Sequence, residues 1–301
     1  MNEKYYYKNN DDDYSKRIQE QRNQERDRTY RQIDESAKRT ANDNILFKQY
    51  LDVQSKFSEY SVGNALLISL NMPQATYVKE KEDWEKIGIR VKDKEQGFNI
   101  LEPSHSNNKT NKIKATYYNP KKVFDISQTD AIKKGKYKET PKSYSDRELL
   151  RAFIHTCPVK VEAVDILDNG IKGAKYDKEQ NIFYICRGME TNELFKSIAS
   201  ELANMEMVEN IPTEEQILSG KQIEDNVSKF KSDCISYMIC KKYGVDVSIF
   251  NFYQIPKEIT NKDAKGFRRE LSDIRAGLVE INHRLTDYFE DNQKVKTTYE
   301  R

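Results

Sequence analysis

The 301-residue chain has no apolar run approaching the ~18 residues that a membrane-spanning helix needs. Its opening stretch, "MNEKYYYKNNDDDYSKRIQE", lacks the apolar centre of a signal peptide, so the chain is expected to be made and kept in the cytoplasm, with no membrane partner. Cysteine is scarce, and none of the four (Cys157, Cys186, Cys234, Cys240) forms a C-x-x-C pair or has a histidine at zinc-finger spacing. That argues against a disulfide framework and for reduced, mostly buried thiols. Histidine is scarcer still: His105, His155 and His283 each stand alone, and a lone histidine is more often a surface or satisfied core residue than a metal ligand. No internal repeat is evident.

Charge is abundant. Asp, Glu, Lys and Arg make up 33% of the chain against 37% hydrophobic residues, which calls for a heavily solvated surface. The length suits about two domains with tails. Net charge is only +2, but residues 41–140 hold 17 Lys+Arg against 13 Asp+Glu. Within them the segment 109–138 has nine lysines against Asp125 and Asp130, a local excess that would attract a polyanion.

Residues 1–40 read as a polar arm, disordered or a solvated helix, because "KRIQEQRNQERDRTYRQIDE" offers almost no apolar face. From Asn44 the apolar residues recur at helical spacing, and a second apolar helix, "GNALLISLN", stops before Pro73. A short strand, a helical turn around Trp84, two strands joined by a charged turn at 92–96, and a further strand over "ATYYNPKKVFDISQT" complete an α+β domain at 41–130. A basic linker covers 131–144. The second domain, 145–250, opens with a helix whose Ser145 and Glu148 make a capping box. A strand, a hairpin "GAKYDKEQNIFYICRG", a helix around "SIASELANME", a polar loop over 210–222 and a long helix ended by Gly244 follow. Residues 251–301 are a C-terminal amphipathic helix and tail, with Phe267, Leu271, Ile274, Leu278, Ile281 and Leu285 on one stripe.

The helix ending "YSVGNALLI", the Trp84 turn, "GIRVKDKEQGFNILEP" and "YYNPKKVFDISQT" together resemble the N-terminal single-stranded-DNA-binding domain of ArdC-type antirestriction proteins, and most of all their LtrC-like relatives on conjugative elements. The residues suit that chemistry, since nonspecific single-strand binders combine aromatic faces for base stacking with cations that track phosphates. Tyr60, Tyr77, Trp84, Tyr117 and Tyr118 are interleaved with Arg90, Lys92, Lys94, Lys114, Lys121 and Lys122, while Asn64 and Gln128 are candidates for hydrogen bonds to base or phosphate. A tryptophan such as Trp84 is more often core than platform, and lysine runs usually solvate a face.

The second domain is similar to the zincin-like peptidase domain that follows the DNA-binding part in ArdC-type proteins. That resemblance implies a hairpin, an H-E-x-x-H helix and a carboxylate from the next helix, the last matched by Asp233. The two histidine positions instead read Ser200 and Asn204 around Glu201. A hydroxyl and a carboxamide are poor zinc ligands, and without the ion Glu201 has no bound water to activate. The resulting expectation is a two-domain α+β protein whose zincin-like domain lacks the metal site, binds no cofactor and is not an enzyme. It would bind single-stranded DNA and deal with conjugation or restriction-system proteins. Two other readings stay open: an active metallopeptidase with a different ligand set, and an interaction scaffold built on the N-terminal arm and last helix.

Overall fold

The computed structural model describes residues 3–104, 117–135, 144–168, 170–208 and 214–299. In chain order these form α1 (Glu3–Ala41), α2 (Asn44–Lys56), α3 (Val62–Asn71), β1 (Val78–Glu80), α4 (Lys81–Lys86), β2 (Phe98–Ser104), β3 (Tyr117–Asp125) and a 3-10 turn (Ile126–Gln128). Then come α5 (Asp146–Thr156), β4 (Lys160–Val164), β5 (Ala174–Asp177), β6 (Ile182–Cys186), α6 (Thr191–Val208), α7 (Glu214–Lys242), α8 (Lys257–Thr260) and α9 (Ala264–Tyr299). The chain is α+β, and it divides into two compact units: Met1–Arg39 with Gly63–Lys138, and Thr40–Val62 with Glu139–Arg301. This division differs from the sequence expectation, because residues 40–62 go with the second unit. Among the described residues no helix is long and apolar enough to cross a membrane.

In the first unit the order β1-β3-β2 gives an antiparallel sheet, with Glu80 and Phe98 both opposite Val123. The stretch expected as a polar arm is helical from Glu3, and its last turns are not solvated. Thr29, Ile33, Ser36 and Ala37 are buried, and Ser36 Oγ donates to the Leu66 carbonyl of α3 at 3.3 Å. Small and hydroxyl-bearing residues make this seam, so a count of large apolar residues passes over it. Trp84, Ile89, Phe124, Ile126 and Ala131 form a core cluster of this unit. Only a single bridge, Val91 to Thr129, stands where the first of two strands around 92–96 was expected. The charged turn therefore joins a bridge to β2. Of the expected linker, residues 131–135 form turns, and 136–143 lie outside the described residues.

In the second unit β4 pairs with β6 in parallel and β5 pairs with β6 antiparallel, leaving β4 and β5 as edges. The Ser145 capping box is formed at α5. Helices α6, α7 and α9 bury their apolar stripes together, and all six residues expected on the α9 stripe are buried. Gly277 permits the close approach of α7 to α9, since a Cβ there would sit 2.6 Å from Ile235 Cδ1. The polar loop expected over 210–222 is helical from Glu214, which makes α7 two turns longer than its apolar pattern suggests.

Candidate nucleic-acid interface and the helix at Glu201

Side chains alternate across a strand, so the β3 register sorts the expected contacts onto two faces. One face carries Tyr118, Lys122 and Phe124, with Lys79 opposite Phe124 and Asn99 opposite Lys122. Tyr77 joins it two residues before Lys79. Tyr77 and Tyr118 are 43% and 44% exposed, and the Lys79 ammonium lies 5.2 Å from the centre of the Tyr77 ring. Tyr77 also meets Trp84 at 5.4 Å with the two rings nearly perpendicular, so the buried tryptophan orients its ring. From Lys122 to Tyr118 the strand rises about 13 Å, and with Tyr77 and Lys79 beyond Phe124, which is itself buried in the Trp84 cluster, this makes a patch of aromatic and cationic groups. Helix α1 reaches the β2 side of this face, where Asn99 donates to Glu25 at 2.9 Å. Lys79 was missed in the sequence, although the alternation Tyr77-Val78-Lys79 places it beside the tyrosine.

The opposite face holds Lys121, which is not a free cation. It donates to both Glu80 oxygens, at 2.8 and 3.1 Å, and that hydrogen bond raises its pKa above the usual lysine value. Arg90, Lys92 and Lys94 are exposed, but on the loop before β2 rather than on β3. Lys92 Nζ donates to the Ser127 carbonyl at 2.6 Å, the Arg90 backbone exchanges two hydrogen bonds with Asp130, and Lys94 adopts a left-handed φ of 69°. Tyr60 belongs to the second unit, where its carbonyl accepts from Arg275 Nε at 2.6 Å. Lys114 and the Tyr117 side chain lie outside the described residues.

Three expected contacts are structural instead. Trp84 is fully buried and its Nε1 donates to the Phe124 carbonyl at 3.0 Å, so it cannot stack on a base. Asn64, also buried, clamps β2 by donating to the Leu101 carbonyl at 2.9 Å and accepting from the Leu101 amide at 2.8 Å. Gln128 accepts from the Asp125 amide and donates to the Gln96 carbonyl and to Glu95, which saturates its carboxamide at the end of β3.

In the second unit Glu201 and Asn204 are hydrogen-bonded to each other, while Ser200 turns to α7. Glu201 Oε1 accepts from the Tyr176 amide at 2.8 Å, and Oε2 accepts from Asn204 Nδ2 at 3.1 Å. Ser200 Oγ meets Ser236 Oγ of α7 at 3.1 Å. One helical turn before Glu201, Ser197 Oγ accepts from the Ala174 amide at 2.7 Å. Ala174 and Tyr176 are alternate residues of edge strand β5, and their amides point away from β6. Helix α6 therefore closes an otherwise open sheet edge with two side-chain acceptors, a recurrent way of protecting such edges. Gly173 makes room for this, since a Cβ there would sit 2.9 Å from Ser197 Oγ. Asp233 does not join these contacts. It lines a separate cavity of about 880 Å³ with Asn226, Phe230 and Tyr253, where burial pushes its carboxyl pKa up against the opposing charge of Lys229.

These residues do not fit a divalent metal. Both Glu201 oxygens already accept hydrogen bonds, Ser200 and Asn204 offer neutral oxygens, and among the described residues no three His, Cys, Asp or Glu side chains converge as a ligand set.

Two small sheets, α6 lying along the β5 edge and the α6–α7–α9 core can now be set beside solved structures. The chain is similar to the metal-free crystal structure of the antirestriction protein ArdC from plasmid R388, with a TM-score of 0.51 and 13% identity over 76% of this chain and 86% of that one. The fold is ArdC-like. The Mn(II)-bound structure of the same protein gives a TM-score of 0.49 and 13% identity over 75% of this chain and 85% of that one. No protein-family model and no curated protein matches the chain. At 13% identity the ArdC-like likeness concerns the path of the backbone, and the chemistry must come from the side chains present here.

Proposed function

We propose that the chain is an antirestriction-type protein of a mobile element that binds single-stranded DNA without sequence preference. The carrying observation is the patch formed by one face of β3 and the start of β1, with the exposed Tyr118 and Tyr77 as stacking faces and Lys122 and Lys79 as phosphate contacts. Stacking on an aromatic side chain is worth about 1–3 kcal/mol per base and tolerates any base. The lysines supply the salt-sensitive remainder through counterion release. Arg90, Lys92 and Lys94 extend the positive field along the neighbouring loop. The ArdC-like fold supports a role in antirestriction or conjugation, with restriction or transfer proteins as further partners and LtrC-like proteins as relatives.

In this reading the second unit is catalytically silent. Glu201, where a zincin would carry its general base, is spent on the β5 edge, and the flanking Ser200 and Asn204 cannot replace imidazoles. Fluorescence anisotropy with a labelled oligo-dT tests the main proposal: binding is expected at low salt, and Tyr118→Ala should weaken it by about 1–3 kcal/mol. No binding at low salt would remove the proposal. Elemental analysis tests the second part, since one tightly held zinc per chain would contradict it.

A further inference from the structure

Two cavities of the second unit, of about 880 and 430 Å³, share Asn44 and Tyr253 in their walls. Phe252 anchors the loop that carries Tyr253: it is buried, with its ring 6.1 Å from Phe47, 6.1 Å from Phe230 and 5.2 Å from Tyr237. The Tyr253 amide is tied to Asn251 Oδ1 at 2.8 Å. The backbone of the next residue is thus anchored, while its ring is 79% exposed and meets no other ring among the described residues. A tyrosine with an anchored backbone and an uncovered ring at the lip of a cavity can serve as a platform for a flat partner.

The wall below supplies polar groups at helical spacing. Asn226, Lys229, Phe230 and Asp233 follow one face of α7 into the larger cavity, with Lys257 on another wall. Among the described residues the partly buried Asp233 carboxyl makes no hydrogen bond, and the charge it faces is that of Lys229, one turn earlier on α7. A carboxylate only accepts, and of the four bases guanine alone presents two adjacent donors, N1–H and N2–H, on its pairing edge. Adenine and cytosine offer one amino group each beside a ring acceptor, and thymine offers an imino group flanked by carbonyls.

We propose that this cavity is a guanine-nucleotide site, with the base stacked on Tyr253, its N1–H and N2–H donating to Asp233, and the phosphate near Lys229 and Lys257. The volume lies in the range of about 300–1,000 Å³ usual for small-molecule pockets. The same chemistry would take a free guanine nucleotide or a guanine within a single strand, and in the second case it would add a guanine preference to the indifferent binding of the β3 face.

Isothermal titration of the full chain with dGMP, dAMP, dCMP and dTMP tests the site, and a parallel titration compares oligo-dT with the same oligomer carrying one central guanine. The expected result is a preference for guanine of about tenfold in at least one arm. A preference confined to the first arm identifies a free nucleotide as the ligand, and one confined to the second identifies a strand. Asp233→Asn should abolish the preference, and Tyr253→Ala should weaken binding about fivefold or more where Tyr253→Phe retains it. Equal affinity for all four bases, no binding in either arm, or binding indifferent to both substitutions would overturn the proposal. The β3 patch is judged separately, because oligo-dT contains no guanine and a Tyr118→Ala chain should still bind dGMP.

Discussion

Replacing Glu201 distinguishes a structural glutamate from a catalytic one. In the Glu201→Ala chain the Tyr176 amide on the β5 edge loses its acceptor, and Asn204 loses the carboxylate it donates to. A hydrogen bond to a charged group contributes about 1.5–3 kcal/mol. Glu201 is only partly buried, so water recovers some of this and a loss of about 1–2 kcal/mol is expected. For a unit of this size that corresponds to a fall in Tm of about 2–8 °C. Glu201→Gln keeps an oxygen for the Tyr176 amide and should cost less than about 0.5 kcal/mol. Ser197→Ala, which frees the Ala174 amide on the same edge, should cost about 1 kcal/mol. Urea denaturation followed by circular dichroism measures all three. The reasoning fails if Glu201→Ala is as stable as the parent chain, or if Glu201→Gln loses as much as Glu201→Ala, since only an acceptor is required.

Asn64→Ala should destabilise the first unit by about 2–4 kcal/mol, because it leaves both the amide and the carbonyl of Leu101 buried without their partner. Its signature is a lower urea midpoint, and any loss of DNA binding should vanish under conditions where the variant is folded. Glu270 of α9 pairs with Lys231 of α7, at 2.7 Å, and with Lys262 just before α9. Burial tends to raise its pKa, but hydrogen bonds from both lysines outweigh this and hold it below the usual glutamate value. A depressed folded pKa contributes stability above the unfolded value of about 4.3 and loses it as pH falls through the folded one. Glu270→Gln should therefore cost about 1–3 kcal/mol at pH 7, with the difference shrinking below about pH 4. A difference that stays constant from pH 7 to pH 3 would contradict that assignment.

Local patterns made several elements legible. The α9 stripe, the β5–β6 hairpin and the Ser145 cap each rest on a local pattern that tertiary packing did not override. The seam at the end of α1 was not legible, because Thr29, Ser36 and Ala37 bury little apolar area and count for little in a hydrophobic pattern. Site residues were harder. Asn64 and Gln128 have the chemistry of base contacts, but polar side chains of this kind serve a backbone equally well, and only the fold shows that Leu101 and Asp125 claim them. Lys121 and Lys122 are neighbours in sequence, yet the pleat sends one to Glu80 and the other to the open face. Glu201 was recognised for its position, while its acceptor role depended on a strand 25 residues earlier.

The central claim is that Lys79 and Lys122 on the β3 face hold the phosphates of a single strand. Its most direct test is the affinity for labelled oligo-dT across a salt series, with the parent chain and a Lys79→Glu/Lys122→Glu chain side by side. Two lost phosphate contacts should lower the affinity at every salt concentration and reduce the slope of log K against log salt by about 1.4. Identical affinities and slopes for the two chains would show that the strand, if it binds, lies elsewhere.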